Sequence, residues 1–138
     1  MIKQLTVLFF ISYGGVVWAE DNVDFLQVSE AFSECSALQT TLSDIIADSD
    51  DARAVTLKKL ADEANIIAED FLQAGGFKKE RAKSQYDSHY NWFQTMLIMS
   101  TDNYESFSAT VKPVIDKCAA LYRLQFALIT ERRKQNIK

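Results

Sequence analysis

Apolar residues recur along most of this chain at spacings of three and four, without the period-two alternation of a sheet, and the pattern predicts helices. The first spans residues 23–48, with Phe25, Val28, Phe32, Cys35, Leu38, Leu42 and Ile45 on one stripe. Asp48, Ser49, Asp50 and Asp51 supply a linker and an N-cap cluster for the second. That helix carries Leu57, Leu60, Ala64, Ile67 and Phe71 and stops at Gly75 and Gly76, where a left-handed residue costs nothing. A third is predicted over residues 77–100. A fourth opens at Asp102, answered by Glu105 as a capping box, and Phe107, Val111, Val114, Cys118, Leu121, Gln125 and Leu128 carry it onto the core. Pro113 lies inside that last run and is expected to kink or break it. The terminal ERRKQNIK reads as solvated. Four amphipathic helices with short turns predict an all-α, four-helix bundle-like domain, up-down-up-down, with the first and last helices as antiparallel neighbours.

The first 19 residues depart from this pattern. Lys3 precedes an apolar run over residues 5–13, Gly14 and Gly15 interrupt it, and Val17 and Ala19 lie three and one before a cut. This is the layout of a secretory signal peptide, with a single helical domain over residues 20–138. The competing reading, an uncleaved anchor helix, is weakened by Ser12 and the two glycines. No later stretch is long and apolar enough to cross a membrane, so the mature chain is expected to be exported, periplasmic or secreted. Loss of Lys3 leaves 14 basic against 19 acidic residues, a net −5, which gives nucleic-acid binding no support.

The compartment changes the meaning of the two cysteines. Cys35 and Cys118 sit on the apolar stripes of the first and last helices, and disulfides persist outside the cytoplasm, so a structural disulfide is expected. Residues 20–51 hold nine acidic and no basic residues, whereas residues 112–138 hold seven basic and two acidic, which favours the same pairing and leaves the basic tail overhanging. Free buried thiols are the next reading, and a redox pair comes after them. Catalytic thiols usually lie close together near a helix start, unlike these.

One segment, YDSHYNWFQTMLIM, holds more apolar surface than packing requires. Tyr86, Tyr90, Phe93 and Leu97 form one stripe, and His89, Trp92, Met96 and Met99 form a second beside it. Such stripes commonly face a core. The sharper reading is an exposed interaction patch comprising Tyr86, His89, Tyr90, Trp92, Met96 and Met99, since Tyr and Trp anchor protein contacts. His89, Met96 and Met99 also form a weak candidate set for a soft metal or haem. Exported four-helix cytochromes resemble the chain in helix count and size alone. It has no Cys-x-x-Cys-His motif, and His89 and Met96 on one helix cannot bind opposite faces of a haem. No cofactor is therefore expected.

Hydrolytic chemistry is poorly supplied. His89, the single histidine, could serve Ser88, but the chain has no Gly-x-Ser-x-Gly turn, His-Glu-x-x-His helix or phosphate-cradling loop. Asp62-Glu63 and Glu69-Asp70 are adjacent, so each pair diverges and reads as a solvated face. Lys78, Lys79, Arg81 and Lys83, and Arg132, Arg133 and Lys134, could meet phosphates or lipid headgroups, but read more simply as solvated helix ends. In outline the chain is similar to small exported disulfide-bonded helical proteins, periplasmic acid-stress chaperones among them. These readings converge on a noncatalytic helical protein acting through protein or envelope-surface contact, with a protein partner in the envelope, and with a small-ligand or metal carrier as the alternative. The signal layout predicts that N-terminal sequencing of exported protein will begin at Glu20; an intact Met1 in a membrane fraction would overturn it.

Overall fold

The computed structural model describes residues 24–101 and 103–137, and among them places five helices: α1 (Phe25–Ile46), α2 (Asp51–Ala74), α3 (Arg81–Met99), α4 (Tyr104–Thr110) and α5 (Lys112–Ile137). The expected signal segment, Val23 and Asp102 lie outside these residues. Short polar side chains set three of the starts. Asp24 accepts the Gln27 N–H at 3.0 Å, Asp50 accepts that of Arg53 at 3.1 Å, and Asn103 accepts that of Ser106 at 3.0 Å. Asn103, not Asp102, therefore holds the last of these N-termini. Residues 77–80, expected to be helical, are an irregular stretch ending in a turn, and Arg81 stacks over the Phe77 ring at 5.2 Å.

Two glycines end α2 for different reasons. Gly76 has φ +82°, a conformation that side chains resist, whereas a Cβ on Gly75 would stand 2.8 Å from Phe25 Cβ at the start of α1. The expected last helix is two helices, with Val111 between them at φ −97° and ψ 10°. Pro113 falls in the first turn of α5, where its missing N–H costs little, and the Val111 carbonyl instead accepts from Val114 and Ile115.

The largest departure from the sequence pattern is α1. Fourteen of its 22 residues are buried, against seven of 24 in α2 and three of 19 in α3, so α1 is enclosed rather than apolar along a single stripe. Ser29, Ser33, Ser36, Thr40 and Ser43 repeat at four, three, four and three residues, and all are buried. Each hydroxyl is satisfied. Ser36 donates to the Ala61 carbonyl and Ser43 to that of Ala54, both at 2.7 Å, and such bonds require the backbones of α1 and α2 to lie close together. Ala54, Ala61, Ala64 and Ala68 supply the matching small face on α2. On the α3 side, Gln85 donates to Ser29 at 3.1 Å and accepts from Ser33 at 3.0 Å. Thr40 returns its hydroxyl to the Ser36 carbonyl and Ser29 to that of Leu26.

Along α1, the partners on α2 descend from Ala61 to Ala54, while those on α3 rise from Gln85 to Gln94, which donates to Thr41 at 3.3 Å. Phe32, Leu38, Ile67, Leu72, Phe93, Phe107, Val111 and Leu124 fill the core, and Phe32 stacks on Phe71 with ring centroids 6.2 Å apart. Cys35 and Cys118 form a disulfide with Cα atoms 5.6 Å apart across α1 and α5. Closing a loop of this length contributes about 4–5 kcal/mol in the chain-entropy account. Glu34 and Lys117 flank the bond and pair at 2.6 Å.

The basic tail does not overhang. Arg132 reaches Asp70 at 3.1 Å and Arg133 reaches Glu63 at 3.0 Å, so the end of α5 lies on α2 rather than on the acidic α1. Asp62 turns instead to Lys58 at 3.2 Å, and Glu69 accepts from Asn65 at 3.2 Å, so neighbouring carboxylates do diverge. No helix among the described residues is long and apolar enough to cross a membrane. The close α1–α2 contact predicts that Ser36→Leu, which adds bulk between the backbones, will cost about 2–3 kcal/mol or more in urea unfolding, whereas Ser36→Ala will cost about 1 kcal/mol.

Candidate interaction surface

The six residues singled out on α3 do not share one environment, because α3 packs on α1 through a single edge. Gln85 and Phe93 are buried on that edge. Tyr86 and Tyr90, one turn apart, stack on each other at 5.6 Å and pack partly against the core. Tyr86 also lines a polar groove of about 630 Å³ between α2 and α3, floored by Ser36 and Thr40 and walled by both charge signs, among them Lys58, Asp62, Lys83 and Asp87. The Tyr90 phenol is held above the ordinary tyrosine pKa, first by burial and then by the Asp44 carboxylate and Tyr86, with Lys58 acting in the opposite direction. These two tyrosines are structural groups of the α2–α3 side.

His89 is tied to α1. Its Nε2 lies 2.9 Å from Glu30 Oε2 and its Nδ1 3.8 Å from Glu34 Oε2, while Lys117 from α5 holds the other oxygen of Glu34. A chain of charged and titratable groups thus joins α3, α1 and α5 beside the disulfide. Both ring nitrogens face carboxylates, Met96 packs partly against the core and Met99 stands 72% exposed, so the three members of the weak metal set have different surroundings. Among the described residues, no group of three or more His, Cys, Asp or Glu side chains is placed to hold a metal ion.

Trp92 and Met99 face outward. Trp92 is 46% exposed and lies edge-on against Phe93 at 5.1 Å between ring centroids, a flat apolar plate supported from below. Ile98, at 70%, and Tyr104, at the first position of α4, extend exposed apolar surface around the α3–α4 junction. The positive φ of Thr101, 55°, turns the chain between them. The large apolar side chains left exposed along this end of α3 and at the start of α4 are Trp92, Ile98, Met99 and Tyr104. Ile98 and Tyr104 were outside the predicted set because Ile98 lies off both sequence stripes and Tyr104 belongs to the next helix. Their signal is present as large apolar residues bracketing the sequence Ser-Thr-Asp-Asn.

Comparison with known protein families, curated proteins and solved structures gives no match to this chain. The different environments of adjacent aromatics lead to a direct test in urea unfolding with the disulfide intact. Phe93→Ala, which empties a fully buried site, should cost about 3–5 kcal/mol. Trp92→Ala should cost no more than about 2 kcal/mol, because half of its surface is already in water.

Proposed function

We propose that this chain is a noncatalytic, exported helical protein that acts through contact with another protein or with the envelope surface, in a chaperone-like or inhibitory manner. The carrying observation is the exposure of four large apolar side chains, Trp92, Ile98, Met99 and Tyr104, over the last two turns of α3 and the start of α4. An indole backed by a buried phenylalanine and flanked by flexible thioether and aliphatic groups is the kind of anchor that protein interfaces use. Polar Asn91, Thr95 and Asn103 stand exposed around it and supply a rim. The disulfide is compatible with an oxidising compartment, which supports a periplasmic or secreted location.

The finer architecture that serves this role is an up-down-up-down bundle of α1, α2, α3 and α5, with α4 as a short connecting turn of helix. Opposite order of the α1–α2 hydrogen bonds, matched order along α1 and α3, and the rise of α5 from Gln125 at Leu60 to Arg132 at Asp70 support it. A soft-metal or haem carrier using His89, Met96 and Met99 is the second reading, and the engagement of both His89 nitrogens by Glu30 and Glu34 weighs against it.

A photo-crosslinking amino acid placed at Trp92 tests the contact reading in the intact exporting cell. A discrete adduct is expected from this position, lost when Met99→Asp places a charge in the patch, and absent from the same probe at exposed Arg123 on α5. Equal labelling from both positions, or an adduct indifferent to Met99→Asp, would remove the patch from the function.

A further inference from the structure

The chain between α2 and α3 combines exposure, a loosely held backbone and free basic side chains. Residues 76–81 are all exposed. Phe77 donates its N–H to the Leu72 carbonyl at 2.8 Å, but the N–H groups of Lys78, Lys79 and Glu80 make no backbone hydrogen bond, and pairing resumes only with Arg81, which donates to the Lys78 carbonyl at 3.1 Å. Lys58, Lys83, Lys112 and Lys117 each pair with a carboxylate, whereas Lys78 and Lys79 have no such partner among the described residues.

A break in this stretch would divide α1 and α2 from α3, α4 and α5, yet the two sides are joined at many other points. Ser29 and Ser33 bind Gln85, Glu30 meets His89, and Thr41 accepts from Gln94. Asp70 and Glu63 hold Arg132 and Arg133, and Cys35–Cys118 crosses the same division covalently. None of these links depends on the continuity of residues 77–80. One bond further on the position is different, because Arg81 opens α3 and is followed by Ala82, which is 1% exposed.

We propose that Lys78-Lys79 is a cleavage site for an endoprotease that reads a basic side chain, and that the product is a folded two-chain molecule joined by Cys35–Cys118. Such an enzyme binds its substrate as an extended strand, so it needs backbone that can be drawn out of the fold and a side chain free to enter its pocket. Residues 78–80 have unpaired N–H groups, and only the turn bonds from Arg81 to Lys78 and from Ala82 to Lys79 have to open. Either ammonium can meet a carboxylate in the enzyme without first leaving an ion pair. The step is hydrolysis: the amide C–N bond after Lys78 or Lys79 breaks, the hydroxyl of water goes to the carbonyl carbon and its proton to the departing nitrogen. The site is separate from the Trp92 surface and does not depend on it.

Trypsin, added in small amount to the disulfide-intact chain, is the probe. By mass spectrometry the first cut between residues 24 and 131 should follow Lys78 or Lys79, ahead of Lys59 and Arg123, which are exposed but lie within helices. The cut chain should run as one species until the disulfide is reduced and as two afterwards, and its helical circular dichroism should match that of the uncut chain. Lys78→Gln combined with Lys79→Gln should slow the first cut by about tenfold or more, because every other basic position is helical or leads directly into buried structure. Chymotrypsin, matched to trypsin in its rate on the urea-unfolded chain, should cut after Phe77 more slowly, since Arg81 covers that ring and Leu72 holds its N–H. A first cut after Arg81 or inside a helix, an unchanged rate in the double variant, chymotrypsin as fast as trypsin, or loss of helicity on cutting would overturn the proposal. If the double variant fails to fold, the position of the first cut and the comparison of the two proteases on the unaltered chain decide the matter.

Discussion

Everything in this fold depends on how closely α1 and α2 approach. Two serine hydroxyls on α1 donate directly to backbone carbonyls of α2, Ser36 to Ala61 and Ser43 to Ala54, and neither bond can form unless the facing residues are small. The alanines at 54, 61, 64 and 68 meet that condition. Those carbonyls already accept within their own helix, so the serine bond adds a second partner to each and leaves neither of these two hydroxyls unmet. Close backbones also bring many side-chain atoms into contact, which substitutes for the large aliphatic groups that a wider helix pair would bury.

The consequence is a central helix with polar residues on the inside. Gln85 joins the same scheme from α3 by bridging Ser29 and Ser33, and with α2 on one side, α3 on another and the disulfide to α5, α1 has little surface left for solvent. A buried polar network of this kind confers register as much as stability, since a shift of one residue would leave several hydroxyls unpaired. The ionic contacts lie further out. Glu30, Glu34, His89 and Lys117 link three helices at one level of the molecule, and Arg132 and Arg133 hold the far end of α5 on α2. Most of these groups are partly exposed, so they orient the outer helices more than they stabilise them.

The arrangement also leaves apolar surface that it does not use. α3 touches α1 by one edge, so its opposite side carries Trp92, Ile98 and Met99 into solvent, and α4 adds Tyr104. On the other flank, α5 meets α1 chiefly around Cys118 and an apolar groove remains between them, with Gln39 in its wall.

The helical class, the stop at Gly75 and Gly76, the apolar face of α5 and the pairing of Cys35 with Cys118 are all legible in the residues alone. Each is local or nearly so: a period of 3.6, a left-handed residue at φ +82°, and two thiols on apolar stripes of helices that adjoin. The cap at Asn103 beside Asp102 was within one position of the expected start, the usual uncertainty where two capping residues adjoin. How many neighbours each helix has depends on packing between distant segments. A single stripe in α1 concealed burial on nearly all sides, because serine and threonine are polar in isolation and become core residues only when another backbone comes within hydrogen-bond reach. The same reason divided the α3 aromatics. Tyr86, Tyr90, Phe93 and Trp92 are alike in sequence, but α1 covers one edge of the helix and nothing among the described residues covers the opposite one, so Phe93 is core and Trp92 is surface. Charge segregation between the chain ends agrees with α5 beside α1, where Lys117 pairs with Glu34, but the length of α5 beyond Cys118 carries Arg132 and Arg133 to the carboxylates of α2.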